Sequence, residues 1–153
     1  MYKLIYDIAE RCWESAHDRG LDVSLQGCAD ATRGELAEYW AAVDQQREIA
    51  NPAATLAVAG SFTDPKEFAA YYDGHIHNTR TDELADILIV AATWVWAAKR
   101  DAGEKFDPSR NVNALFASGS VWFICSQITG GEDVEYLRET VNLKMRYNEV
   151  RED

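Results

Sequence analysis

The sequence is short of basic residues, of proline and of cysteine, and it has no long apolar run. Fifteen Lys and Arg face 26 Asp and Glu, a formal net charge of −11. A chain so charged lacks the basic face that meets nucleic-acid phosphates, and anionic membrane repels it. An anionic substrate would need a cation between itself and this protein. The three cysteines, Cys12, Cys28 and Cys125, show neither CxxC nor zinc spacing. With Asp7 and Glu10 inside "MYKLIYDIAERCW", no secretory signal is read there, and reduced thiols in a cytoplasmic protein are expected. The longest near-apolar run is the twelve residues from Ile87 to Ala98, which suit a buried helix and are too few to span a bilayer. Strand-like alternation and internal repeats are both missing.

What is present is 153 residues with 47% apolar and 27% charged side chains, enough for one folded domain over 1–153. Leu4, Ile5, Ile8, Cys12 and Trp13 recur at helical spacing, so 2–18 is a predicted helix that Gly20 stops. A second runs over 28–47, with Leu36, Trp40 and Val43 on one side. Residues 48–65 hold two of the three prolines and a Gly-Ser pair, and are expected to be a connection. A short helix is expected over 66–74, within a long connection over 48–80. A long one follows to about Arg100, capped by Thr79 or Thr81. After a loop, 111–128 is an extra helical segment, "TGGED" breaks it, and 132–150 is the last helix. The expected class is all-α, a bundle of about five helices with an insertion before the last.

Two segments share a grammar. "GELAEYW" sets Glu35 and Glu38 at i, i+3, and "DELADIL" sets Glu83 and Asp86 at i, i+3. Such pairs stack on one helix face, bordering the apolar stripe. Were the two helices side by side, four carboxylates would converge. At an effective dielectric of ~20, each pair ~5 Å apart repels by ~3 kcal/mol. A convergent cluster therefore needs protons or cations, and hard oxygen ligands suit Mg²⁺ or Mn²⁺. The other reading of each pair is a solvated face, with acids at a helix start serving the dipole.

"KMRYNEVR" places Lys144, Asn148 and Arg151 at i, i+4, i+7, with Tyr147 beside them. That set suits phosphate oxygens and a sugar or base edge, while a basic last turn also complements the helix dipole. His75 and His77 stand two apart without a Cys or third His nearby, a weak metal pattern. The five tryptophans are expected mainly in the core.

Taken together, Glu35-Leu-Ala-Glu38, Thr79…Asp82-Glu83-Leu-Ala-Asp86 and Lys144-Met-Arg-Tyr147-Asn148…Arg151 resemble the MazG-like family of all-α nucleoside triphosphate pyrophosphohydrolases. The likeness covers 28–47, 75–100 and 132–151. It implies a helical bundle of the all-α NTP pyrophosphatase type. The implied reaction takes an NTP or dNTP and water to NMP and pyrophosphate with Mg²⁺, Mn²⁺ being the alternative. Glu35, Glu38, Glu83 and Asp86 would be the metal ligands, with Glu35 or Glu38 as the catalytic base. Lys144, Tyr147, Asn148 and Arg151 would contact phosphates or nucleoside. His77 stands where the family often has Lys, and Trp40 is the candidate to stack on a base. The resemblance also implies a homodimer or dimer of dimers with sites completed between subunits. This chain departs at Val90 and Thr93, where relatives often carry Arg and Asp. Those departures keep open another nucleotide substrate, such as a nucleotide sugar or alarmone, and a non-catalytic nucleotide-binding module.

Overall fold

The computed structural model of the chain describes residues 2–127 and 134–151. Its helices are α1 (Tyr2–Asp18), α2 (Leu25–Asp44), α3 (Pro52–Ser61), α4 (Pro65–His75), α5 (Arg80–Ala102), α6 (Val112–Gln127) and α7 (Val134–Val150), with a 3₁₀ turn at Gly103–Lys105. There is no strand among the described residues. The fold is all-α as expected, with seven helices in place of about five. The "TGGED" break lies outside the described residues.

The α5 helix is the axis. From Thr81 to Ala98 every residue is buried except Asp86, Val90 and Trp96. A helix that is apolar nearly all round must be wrapped by others, and α1, α2, α6 and α7 all pack on it. Leu4, Ile5 and Ile8 of α1 meet Leu84, Leu88 and Val95 of α5 in the main core, with Leu137 and Val141 of α7. The Arg100 guanidinium lies 4.3 Å from the Trp13 ring centroid, closing the far end of the α1–α5 contact.

A second core joins α3, α4 and α7 through Leu56, Ala59, Phe68, Tyr72, Leu143 and Tyr147. Here the connection expected over 48–65 is corrected, because it contains α3. Both prolines sit in the first turn of a helix, Pro52 in α3 and Pro65 in α4. That position has no use for the missing N–H and favours the fixed φ. The prolines thus open helices where the sequence reading took them as breakers, and the 48–80 stretch holds two helices, not one. Arg146 of α7 donates to the Phe62 carbonyl at 2.7 Å and stacks over Phe68, tying this layer to the bundle. Among the described residues, no helix is long and apolar enough to cross a membrane.

Candidate functional site

Local chain signals set up one cleft. Thr79 caps α5, its Oγ1 accepting from the Asp82 N–H at 3.3 Å and donating to the Ile76 carbonyl at 2.6 Å. Asn78, at φ 62°, turns the chain so that its N–H donates to Asp82 Oδ2 at 2.9 Å. The α1 helix ends in a left-handed Gly20 (φ 76°), where Gly20 N–H bonds to the His17 carbonyl and Leu21 N–H to that of Ala16. This is a Schellman close, and it delivers Arg19 and Leu21 to the rim of the cleft. Glu35 and Glu38 come from α2, Glu83 and Asp86 from the first turns of α5, and Lys144, Asn148 and Arg151 from α7 and its end. The cavity is about 260 Å³.

Glu35, Glu38 and Glu83 each offer an oxygen such that all three lie within 4.8 Å of one another. Glu35 Oε2 and Glu83 Oε2 are buried without a hydrogen-bond partner. Burial, with Asp86, Glu38 and Glu83 as like charges, pushes the Glu35 carboxyl up to about 8, Lys144 pulling the other way. Burial and then Asp86, Asp82 and Glu38 push Glu83 up to about 7. Glu83 is buried, Glu35 half-buried and Glu38 exposed at the mouth; like charges at this spacing stay ionised together only at a price in stability, so the trio fits a divalent cation of the oxygen-loving kind. Two orphaned, buried carboxylate oxygens on members of this trio are what such an ion would satisfy.

The other acids of α5 are arranged differently. Asp82 is fully buried, and both its oxygens are bonded to Lys144 Nζ, at 2.9 and 3.0 Å. Tyr72 Oη donates to its Oδ1 at 2.5 Å, and His77 Nδ1 stands 3.4 Å from Oδ2. Burial alone would raise its pKa, but the His77 ring, the Lys144 charge and the Tyr72 phenol outweigh it and hold the carboxyl below its ordinary value. Lys144 Nζ also lies 2.9 Å from Asp86 Oδ2. Burial works against the ammonium, yet Asp86 and Asp82 together raise its pKa. For Asp86 burial dominates, Lys144 opposes it, and the carboxyl moves up to about 6.

The structure brings Glu35, Glu38, Glu83, Asp86, His77, Lys144, Asn148 and Arg151 to the same cleft. Within it Asp86 stands outside the trio and is paired with Lys144, whose side chain is only 3% exposed and already engaged by two carboxylates. Asn148 Oδ1 is buried and without a partner. Two assignments are corrected. Trp40 is 45% exposed and lines no part of the cleft; it packs edge-on against Tyr39 and Phe123. Two residues past Glu38 is about 200° round a helix, which turns it to the opposite side of α2. Tyr147 is buried behind the cleft, stacked on Tyr72 with centroids 4.4 Å apart, and its hydroxyl donates to Asp73. Burial and the Asp73 carboxylate push that phenol up to about 12. It is a packing residue of the second core and does not line the cleft.

His75 stacks on Tyr71 and is exposed, so the two histidines do not form a pair. Thr93 turns its hydroxyl back to the Ile89 carbonyl at 2.8 Å, while Val90 opens onto the cleft. Cys12 and Cys28 are buried free thiols, pushed up to about 12 and about 11 by burial; the Cys125 side chain lies outside the described residues. The sequence reading passed over Arg19, Leu21 and the role of Asp82. Asp82 was findable, since Thr79-x-x-Asp82 is a capping pattern whose acid reaches back to a free N–H. Arg19 was findable only by asking what a Gly20 stop places at the helix end.

No family model matches the chain, and neither a curated protein nor a solved structure matches it.

Proposed function

We propose that the protein is a Mg²⁺-dependent nucleotide pyrophosphohydrolase, cleaving an NTP or dNTP between the α and β phosphates to give NMP and pyrophosphate. One observation carries this reading: three carboxylates, two with buried unpartnered oxygens, converge in a cleft that also holds Arg19 and Arg151. An acidic patch alone binds cations. An acidic patch with guanidinium groups in the same small cavity suits a cation and an oxyanion together.

Glu35, Glu38 and Glu83 are the residues that would hold the metal. When bound, it supplies positive charge against the phosphate oxygens and activates a water. Arg19 and Arg151 orient the phosphate chain from the other side, which restores the cationic contact that Val90 does not provide. Asn148 offers its buried amide to a sugar or phosphate oxygen. Glu35 is the more buried of the α2 pair, and it takes the proton of the attacking water. Lys144 acts one step back: by neutralising Asp82 and Asp86 it fixes the α5 start that carries Glu83. Phosphoryl chemistry needs little covalent help, and positioning with charge neutralisation accounts for it. A cavity of about 260 Å³ takes a phosphate chain, leaving the nucleoside at the rim near Leu21.

The test is pyrophosphate release across a panel of nucleoside triphosphates, nucleotide sugars and alarmones, with Mg²⁺ or Mn²⁺. Turnover of at least one triphosphate is expected, lost in Glu38→Gln with Glu83→Gln. Thermal melting supplies the second arm, because a ligand that binds only the folded state raises the midpoint. A wild-type protein whose melting is indifferent to both metals has no three-carboxylate metal site. The non-catalytic alternative predicts a metal and triphosphate shift without pyrophosphate release.

A further inference from the structure

The proposed reaction leaves one titratable cleft residue without a task, His77. The chain sets its ring before any ligand arrives. The α4 helix closes with the Ile76 and His77 N–H groups both donating to the Tyr72 carbonyl, each at 2.9 Å. Asn78 then turns into the left-handed region (φ 62°), and α5 begins at Arg80. This short loop puts the imidazole between Asp82 and the Tyr147 ring of α7, whose centroid lies 5.3 Å away. Nδ1 is buried and stands 3.4 Å from Asp82 Oδ2, a contact too loose for an aligned hydrogen bond. Catalytic hydrogen bonds are often long without substrate and tighten with it. The side chain is 27% exposed and lines the cleft. With Nδ1 buried, Nε2 on the opposite edge is the nitrogen that reaches the open space.

We propose that His77 is the general acid of the reaction, giving its Nε2 proton to the departing pyrophosphate, with Asp82 as its positioning residue. The inference rests on the pyrophosphohydrolase reading and adds the proton transfer that Glu35 does not carry. Three observations select His77. The first is proton chemistry. Imidazole both holds and releases a proton near neutral pH. Arg19 and Arg151 do not release one, and Lys144 is held by two carboxylates. The second is side. Attacking and leaving oxygens lie roughly in line through the phosphorus, so base and acid belong on opposite walls. Glu35 comes from α2, while His77 leans on α7; both helices pack on α5 and make no substantial contact with each other. The third is anchoring. Asp82 is fully buried and held by Lys144, Tyr72 and the Asn78 N–H. A fixed carboxylate at Nδ1 decides which nitrogen faces the cleft.

In the step itself, the water oxygen bonds to the α phosphorus as the bond from that phosphorus to the α–β bridging oxygen breaks. Glu35 takes the proton lost by the water, and His77 Nε2 supplies one to the bridging oxygen. Pyrophosphate leaves, Glu35 returns its proton to solvent, and the imidazole regains one through its exposed edge.

Steady-state kinetics of pyrophosphate release from the common NTPs and dNTPs, each with Mg²⁺, tests this on the full chain. His77→Gln is expected to lower kcat about 100-fold with KM within about threefold, at wild-type helical circular dichroism. His77→Arg restores a cation that keeps its proton, and kcat stays as low. Recovery in His77→Arg would make the ring a phosphate contact and overturn the acid role, as would a rise in KM alone. Unfolding of both variants would make the ring structural and overturn it too. Asp82→Asn should lower kcat about tenfold in the wild type and leave it unchanged in His77→Gln. An equal loss in both backgrounds would make Asp82 purely structural and overturn its positioning role. Wild-type turnover with His77→Gln within about threefold keeps the reaction and removes the acid. A wild type that releases pyrophosphate from none of these nucleotides overturns the reaction, and the acid with it.

Discussion

Asp82 and Glu83 are consecutive residues at the start of α5, both buried, and they live in opposite circumstances. Asp82 has a partner for each lone-pair direction that matters: Lys144, Tyr72 and the Asn78 N–H. Glu83 has an oxygen with none, and it shares its space with the carboxylates of Glu35 and Glu38. A 100° step round the helix separates the two. It turns Asp82 toward α4 and α7, where polar partners are built in, and Glu83 toward α2, where they are withheld. A buried acid that is fully paired holds the fold together. A buried acid left unpaired among others is costly to the fold, and a ligand is the natural source of its compensation.

The strongest way to break this contrast is Lys144→Met. It removes the cation from between Asp82 and Asp86 and leaves two acids without their shared counter-charge. Breaking a buried pair from one side costs about 3–5 kcal/mol, read by urea denaturation. Were Lys144 chiefly a phosphate contact, stability would change little and only substrate affinity would fall.

The reverse experiment is Glu83→Gln. Here a charge is removed from a crowded site, so the metal-free protein is expected to melt no lower than wild type. What it loses is the response to Mg²⁺. A ligand at a hundred times its dissociation constant stabilises by about 2.7 kcal/mol, and the variant should show almost none of that gain. Opposite signs in Lys144→Met and Glu83→Gln are the signature of one structural acid pair beside one ligand site. Equal destabilisation by both would mean that Glu83 is structural as well.

Half of this contrast was legible in the chain. The i, i+3 pairs Glu35–Glu38 and Glu83–Asp86 are local, and a helix period is enough to put each pair on one face. Their meeting needed only that α2 and α5 be neighbours. The Lys144–Asp82 pair spans 62 positions, and no local pattern announces it. "KMRYNEVR" could be assigned a face but not an occupant for that face, so the pairing of Lys144 with Asp82 and Asp86 was not foreseen. Trp40 was misplaced by treating nearness in sequence as nearness in space, where the helix turned it away. Tyr147 was misassigned because its position beside Asn148 says nothing of the aromatic layer from α4 that covers it. The α3 helix was missed because proline reads as a breaker unless its place in the first turn is already known.

The smallest effect separates the two acids by pH. In metal-free protein Glu35 and Glu83 have folded values of about 8 and about 7, above their ordinary 4.5. Between those limits the native state binds more protons than the unfolded one, so stability falls as pH rises. Asp82 has the opposite sign. Its folded value lies below 3.8, so its contribution is present above that value and disappears as acid protonates the native carboxylate. Stability in chelator should therefore peak between about pH 4 and 5 and decline on both sides. From pH 6 to 7 the decline amounts to about 1.4 kcal/mol for each glutamate that differs by one full proton. Glu35→Gln should make the alkaline limb shallower, leaving the part due to Glu83, and keep the acid limb in place. Saturating Mg²⁺ should flatten it in the wild type as well, because the cation takes over from the protons. An alkaline limb indifferent to both the substitution and the metal would mean that Glu35 and Glu83 find partners in solution, and the contrast with Asp82 would collapse.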